Sequence, residues 1–254
     1  MASTVAPAPA AAGRPLVLGH RGASADAPEN TLAAFRLALA QGADGVELDV
    51  WRCATGEVVV AHDEDARRVG GADLRIPDAP LAALRALDVG AWRGDRFRGE
   101  RIPLLAEVLE ALPGAIVNVE LKSRGRDPRL AEAAARAIAA AGAERRVVVS
   151  SFDWRLLVAF RLAAPRVPVG LLFDGTRAWR VRLALGTRLL RPSAVHPERT
   201  LVTEARARRW GERRLAVNVW TVDDPGEARR LAALGASAVI TNVPGVIARA
   251  VRFP

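Results

Sequence analysis

The sequence predicts an α/β fold closed as a (β/α)8 TIM barrel, and three observations carry that expectation. Eight short apolar β-like runs alternate with helix-like stretches from about residue 15 to the end. The chain has 254 residues, half of them apolar, a length that suits one large core better than two small ones. No GxGxxG or GxxxxGK[ST] loop occurs, which argues against the nucleotide-binding versions of the competing open, doubly wound sheet.

Residues 1–14 form an Ala/Pro-rich leader without periodicity, expected to be disordered; the domain is expected to run from 15 to 254. The barrel strands are expected at LVLGH (16–20), GVELDV (45–50), AIVNVELK (115–122) and VVVSSF (147–152). They continue with PVGLLF (168–173), SAVH (193–196), LAVNVWTV (215–222) and SAVITN (237–242). Helix punctuation lies between them: Asn30 as a cap for a run ending at Gly42, Asp127-Pro128 and Asp224-Pro225 as cap plus first-turn proline, and Gly235 as a stop.

One β-like segment, EVVVAHD (57–63), follows the second strand too closely for a parallel crossover, so it is expected to fold back as an antiparallel hairpin. A turn centred between Thr55 and Gly56 then places Asp49 opposite His62. The stretch 63–103, with few long apolar runs, reads as a small insertion covering one side of the barrel mouth. Residues 174–191 are strongly basic and read as a lid or peripheral helix.

Composition narrows the function classes. No apolar run approaches the ~20 residues of a membrane span, and the N-terminus lacks the parts of a signal peptide, so no transmembrane segment and a cytoplasmic location are expected. The single cysteine, Cys53, makes no intramolecular disulfide. A net charge of +9 and a pI near 11.3 would suit a polyanion partner, but the arginines are spread through every segment; no nucleic-acid partner is expected. Against that arginine background the sole lysine, Lys122, and the three histidines stand out.

Alternate residues of a strand share a face, so Glu47 and Asp49 project together, as do Asn118, Glu120 and Lys122. Carboxylates inside a barrel need partners, because an unpaired buried charge costs several kcal/mol. Glu47, Asp49 and Glu120 therefore either hold a hard divalent cation or form a salt-bridge cluster with Lys122 and Arg21. His20 and Arg21 end the first strand, on the side where barrel enzymes gather catalytic groups, and His62 is brought to the same mouth by the hairpin. Two histidines, an arginine fork and an acidic cluster suit phosphodiester cleavage. A glycosidase would instead use a carboxylate pair, with Glu47 and Glu120 the candidates.

Taken together, GHRGASADAPENTLAAF, GADGVELDV, VVVAHDE, NVELK, VVSSFD, NVWTVDD and ITNVPG resemble the glycerophosphodiester phosphodiesterase family in order and spacing, from about Leu16 to Pro244. The resemblance implies a phosphatidylinositol-phospholipase-C-like barrel that hydrolyses a small-molecule glycerophosphodiester to an alcohol and glycerol 3-phosphate, within lipid and glycerol metabolism. It implies His20 and His62 as the acid/base pair, Glu47, Asp49 and Glu120 as ligands of one divalent cation, Mg2+ or Ca2+, and Arg21 and Lys122 as phosphate contacts. It also matches Trp220 to an aromatic residue near the glycerol end, with Phe152 packing at the mouth, and places Glu29 near the metal site. His196 is kept as a residue that could support the site from behind. The pattern departs at Thr241-Asn242, where the family frequently has Thr-Asp. The alternatives are a lysophospholipase D or sphingomyelinase D type enzyme, and a barrel that binds a phosphorylated ligand without turnover. No motif fixes the oligomeric state.

Overall fold

The computed structural model describes residues 13–122, 127–176 and 190–253. Its sheet has nine strands: β1 (Leu16–His20), β2 (Gly45–Arg52), β3 (Val58–Val60), β4 (Ile116–Leu121), β5 (Val147–Ser151), β6 (Val169–Phe173), β7 (Ala194–Pro197), β8 (Ala216–Val219) and β9 (Ala238–Thr241). All except β3 run parallel, and the β1–β2 pairing closes the sheet into an eight-stranded barrel, as the alternation of runs predicts. Most of the basic stretch 174–191 and of the leader lies outside the described residues. Among the described residues no helix is long and apolar enough to cross a membrane.

The period of two explains what each face does. Val46, Leu48 and Val50 of β2, with Val117, Val119 and Leu121 of β4, point outward and pack with Phe35, Leu109, Ile138 and Phe160 of the surrounding helices. On the far side Val17, Val195, Val217 and Val239 do the same against Leu231, Ile247 and Val251. Each such side chain fully removed from water contributes roughly 1.5–3 kcal/mol, so this outer shell supplies most of the fold's driving force. The inward positions are thereby released for other chemistry. Leu16, Leu18, Ala238 and Ile240 plug the lower barrel, and the polar residues lie above them, toward the strand C-termini.

The helices start where sequence punctuation predicts, with one correction. Asp127 and Asp224 cap α5 (Pro128–Ala140) and α8 (Pro225–Ala233) through their side chains, each with proline in the first turn. Gly235 follows α8 with φ +79°. The helix α1 (Leu32–Ala40), however, is capped by Thr31, whose hydroxyl accepts from the Ala34 N–H at 3.2 Å. Asn30, expected as that cap, sits at φ +57° and turns its side chain into the barrel mouth instead.

The hairpin register also differs from expectation. The observed pairs are Val50 with Val60, Trp51 with Val59 and Arg52 with Val58, which puts Asp49 beside Ala61 rather than His62. Cys53 N–H bonds to Glu57 O at 3.0 Å, so the loop comprises Ala54, Thr55 and Gly56, and Gly56 takes the positive φ (+107°) that such a loop requires. His62 still reaches the mouth because it lies beyond the end of β3, where the Trp51 indole N–H holds its carbonyl at 3.2 Å.

Between β3 and α4 (Leu105–Ala111) the chain forms short turns and the helices α2 (Arg67–Gly70) and α3 (Leu81–Arg85). Ile76, Ala79, Leu84, Val89 and Ile102 pack on Trp51, Cys53, Val59 and Ala61 of the hairpin. Arg96 bonds to the Asp26 carbonyl at 3.0 Å, and Arg93 to the Ala25 carbonyl, tying this segment to the loop after β1.

That loop is tightly built. Gly22 has φ +87°, and a Cβ there would lie 2.5 Å from the Ala34 carbonyl carbon. Gly22→Ala therefore combines an unfavourable backbone with overpacking, and is expected to destabilise the protein by on the order of 3 kcal/mol. Urea denaturation checks it; a loss under about 1 kcal/mol would show that the loop yields more easily than its packing implies.

Candidate active site

The strand register carries the polar inward residues to two successive levels near the mouth. His20 is paired with Glu47, Glu47 with Asn118, and Asp49 with Glu120, across the adjacent strands β1, β2 and β4. A cavity of about 230 Å³ opens above them, lined by His20, Arg21, Glu47, His62, Asn118, Glu120, Lys122, Phe152, Leu172, Trp220 and Ile240. Asp49 does not line it and is only 1% exposed, covered by Asn30, Arg21 and Lys122.

Glu47, Asp49 and Glu120 are all buried, with one oxygen of each within 4.8 Å of the others. Asp49 is heavily supported: Lys122 Nζ lies at 3.0 Å, Arg21 Nε at 3.4 Å, and Asn30 Nδ2 donates at 2.9 Å. Burial opposes its charge, but Lys122 and then Arg21 outweigh burial and hold its carboxyl at about 2. Glu120 meets Lys122 at 2.8 Å, yet burial dominates and its carboxyl is pushed up to about 7. Burial, followed by the charges of Asp49 and Glu120, raises Glu47 well above the ordinary carboxylate range.

Glu47 is the member of this cluster that the salt bridges do not reach. It accepts the Arg21 backbone N–H at 3.0 Å, and its nearest basic side chain is His20, with Nε2 at 4.0 Å. Among the described residues no lysine or arginine side chain comes within ion-pair distance of it. Lys122 and Arg21 bring two positive charges to three carboxylates, and Arg21 is shared with Glu29 at 2.9 Å. Salt bridges alone thus leave a buried carboxylate unneutralised, and a hard, oxygen-preferring divalent cation fits the donor set. Glu29 stands one step outside, between Arg21 and Arg68.

His20 reaches the cavity from the end of β1 and His62 from beyond β3. His20 Nδ1 bonds to Asn242 Oδ1 at 2.8 Å, and His62 Nδ1 to Asp63 Oδ1 at 2.7 Å. Burial is the main cause that lowers both pKa values below the ordinary imidazole value, helped at His20 by Arg21. Both rings are therefore neutral near pH 7 and able to exchange protons.

Trp220 and Phe152 form the aromatic wall, edge to face with ring centroids 5.7 Å apart. The indole N–H of Trp220 bonds to the His196 carbonyl at 2.9 Å. His196 itself is fully buried behind that wall, and burial holds its pKa down to about 3. Asn218 Nδ2, 3.0 Å from His196 Nε2, supplies the partner that local sequence does not reveal. The nine residues expected as acid/base, metal or substrate contacts thus converge on one mouth. Asp63 is the sequence neighbour of the histidine it supports, whereas Asn30, Asp223 and Asn242 were not legible as supports, because each acts through a side chain brought close only by the closed barrel.

A family model described as "Glycerophosphoryl diester phosphodiesterase family" matches residues 20–246. A glycerophosphodiester phosphodiesterase of Caldanaerobacter subterraneus subsp. tengcongensis is 34% identical over 242 residues, covering 93% of this chain and 98% of that one. A human protein named lysophospholipase D GDPD1 is 39% identical over 111 residues, 41% of this chain and 35% of its own length. Among solved structures, an Oleispira antarctica phosphodiesterase in complex with the product sn-glycerol-3-phosphate superimposes with a TM-score of 0.84 at 30% identity, covering 94% of this chain and 97% of that one.

Proposed function

The chain belongs to the glycerophosphoryl diester phosphodiesterase family and is an enzyme of that class; from this premise we propose that it hydrolyses glycerophosphodiesters to an alcohol and sn-glycerol 3-phosphate, using His20 and His62 as its acid/base pair. The observation that carries this reading is the meeting of two neutral histidines, two cationic side chains and an under-neutralised carboxylate cluster around one cavity of about 230 Å³. Such a volume suits the glycerol phosphate half of a substrate.

Glu47, Asp49 and Glu120 would hold one divalent cation, Mg2+ or Ca2+, which when bound would offset negative charge developing on phosphate. Arg21 and Lys122 supply further positive charge at the same level and orient the phosphoryl oxygens. One histidine takes the proton of the attacking oxygen, that of water or of the neighbouring glycerol hydroxyl, as that oxygen bonds to phosphorus, and the other gives a proton to the departing alkoxide as its bond to phosphorus breaks; where the glycerol hydroxyl attacks, water then opens the cyclic phosphodiester by the same two proton transfers in reverse. The Trp220 face and the Phe152 edge cover the carbon side of the glycerol.

The reading is tested by incubating purified protein with glycerophosphocholine, with and without EDTA and added Mg2+ or Ca2+, and measuring glycerol 3-phosphate. Absence of release under every metal condition would sink it. The aromatic wall makes a narrower prediction: Trp220→Leu raises KM about tenfold while kcat stays within about threefold, because the contact is made equally before and during reaction. A fall confined to kcat would give the indole a different role.

A second reading, hydrolysis of lysophospholipids, is favoured by one feature of the mouth. The cavity adjoins an open groove of about 460 Å³ that shares His20 and Arg21 with it and is otherwise lined by Ser24, Ala25, Glu29, Asp223, Asn242 and Val243. The groove leaves room beyond the reacting phosphate, and the human relative bears the lysophospholipase D name. Comparing glycerophosphocholine with lysophosphatidylcholine separates the two.

A further inference from the structure

His20 is held by a chain of side chains from three neighbouring strand ends. Its Nδ1 lies 2.8 Å from Asn242 Oδ1, beyond β9, and the Ser24 hydroxyl donates to that same oxygen at 2.8 Å. Asn242 Nδ2 donates to Asp223 Oδ2 at 2.7 Å, beyond β8. The other oxygen of Asp223 accepts the Asn242 backbone N–H at 2.8 Å and the Thr241 hydroxyl at 2.9 Å.

These contacts leave the amide one orientation. A carboxylate only accepts, so the amide NH2 must face Asp223 and the amide oxygen must face His20. An amide oxygen only accepts in turn, so His20 must carry its proton on Nδ1. The lone pair is then on Nε2, the nitrogen turned toward Glu47 at 4.0 Å. Asp223 is exposed at the rim, but it engages Asn242 through both side chain and backbone, so a single competing water does not release it.

We propose that Asp223 and Asn242 are positioning residues that lock His20 in the Nδ1–H tautomer and so assign it the role of proton acceptor, leaving His62 as the donor to the departing alkoxide. This rests on the reading that His20 belongs to the acid/base pair. In the step it serves, the O–H bond of the attacking water or hydroxyl breaks as the Nε2–H bond forms, that oxygen bonds to phosphorus, and the bond from phosphorus to the alkoxide breaks as His62 gives the alkoxide a proton. Asp223 is not part of the lining of the cavity that holds His20 and His62, and it acts on His20 through Asn242.

The isosteric variant Asp223→Asn tests the relay. Asn242 N–H and the Thr241 hydroxyl still require an acceptor, so they hold the oxygen end of the new amide. Its NH2 then faces Asn242, whose own amide must invert and present NH2 to His20. The tautomer is expected to switch to Nε2–H, with kcat falling about 10²-fold and KM staying within about threefold. Nitrogen-15 NMR of histidine-labelled enzyme at pH 8 reads the tautomer directly, and only three histidines need assignment. Asn242→Asp keeps an acceptor for Nδ1–H, the new carboxyl and Asp223 sharing one proton across their 2.7 Å contact, and should retain kcat within about tenfold of wild type, whereas Asn242→Leu should not.

A wild-type His20 found as Nε2–H, or an Asp223→Asn enzyme with unchanged tautomer and kcat, overturns the proposal. If Asp223→Asn does not fold, judged by circular dichroism and the buried His196 signals, the contrast between Asn242→Asp and Asn242→Leu decides. The tautomer is read without substrate: a switch in a protein that cleaves no glycerophosphodiester leaves the relay standing and removes the functional reading instead.

Discussion

Glu120→Gln is expected to lower kcat/KM for glycerophosphodiesters by about 10³-fold or more, and at pH 8 to make the metal-free protein more stable than the metal-free wild type. Both effects come from one property of the cluster. The Glu120 carboxyl is pushed up to about 7 from an ordinary 4.5, chiefly by burial, so the folded chain without a cation holds a proton there that the unfolded chain does not. The stabilisation from that proton is fully present below about pH 4.5 and is lost as pH rises through about 7. Glutamine keeps the neutral shape at every pH and escapes the loss, at the expense of a metal ligand. A cation binds the deprotonated carboxylate, so the rise in Tm caused by Mg2+ or Ca2+ should grow between pH 5 and pH 8 in the wild type and shrink in the variant. Thermal melts with and without EDTA at the two pH values check this. An equal metal-induced shift at both pH values would mean that Glu120 is not where the cation binds.

His20→Ala is expected to reduce kcat by about 10²–10⁴-fold with little change in KM, because a proton acceptor acts in the transition state and contributes little to ground-state binding. His62→Ala should cost a similar factor, and the double variant much less than the product, since the two act in one proton-transfer sequence. The pH profile carries the sign. Burial, with Arg21 beside it, lowers the pKa of His20 below the ordinary imidazole value of 6.5. At saturating divalent ion, kcat/KM should therefore hold on descending through pH 6.5 and fall only below it, as the acceptor becomes protonated. A profile that already falls above pH 7 would require a different group as acceptor.

The groups behind these two predictions were legible to different depths. The period of two puts Glu47 with Asp49, and Glu120 with Lys122, on common faces of their strands, and strand-end position puts His20 and Arg21 at the mouth. Those are properties of neighbouring residues in an extended chain, so the sequence states them directly. It did not state whether Lys122 and Arg21 suffice to neutralise the carboxylates. That depends on distances across β2 and β4, and these leave Glu47 without a lysine or arginine partner among the described residues.

The fold class, the positions of the barrel strands and the identity of the nine mouth residues were thus determined by the sequence alone, through alternation, punctuation and the family resemblance. Tertiary structure decided the rest. The hairpin register shifted by one residue because a three-residue loop with Gly56 at positive φ closes it. Asn30 left the helix cap to Thr31 and bonded to Asp49. His20 found its orienting partner 222 positions away, at Asn242. Periodicity and capping are short-range, written in residues a few positions apart, whereas the partner of a polar side chain is fixed by barrel closure, which brings together strand ends that share no local pattern.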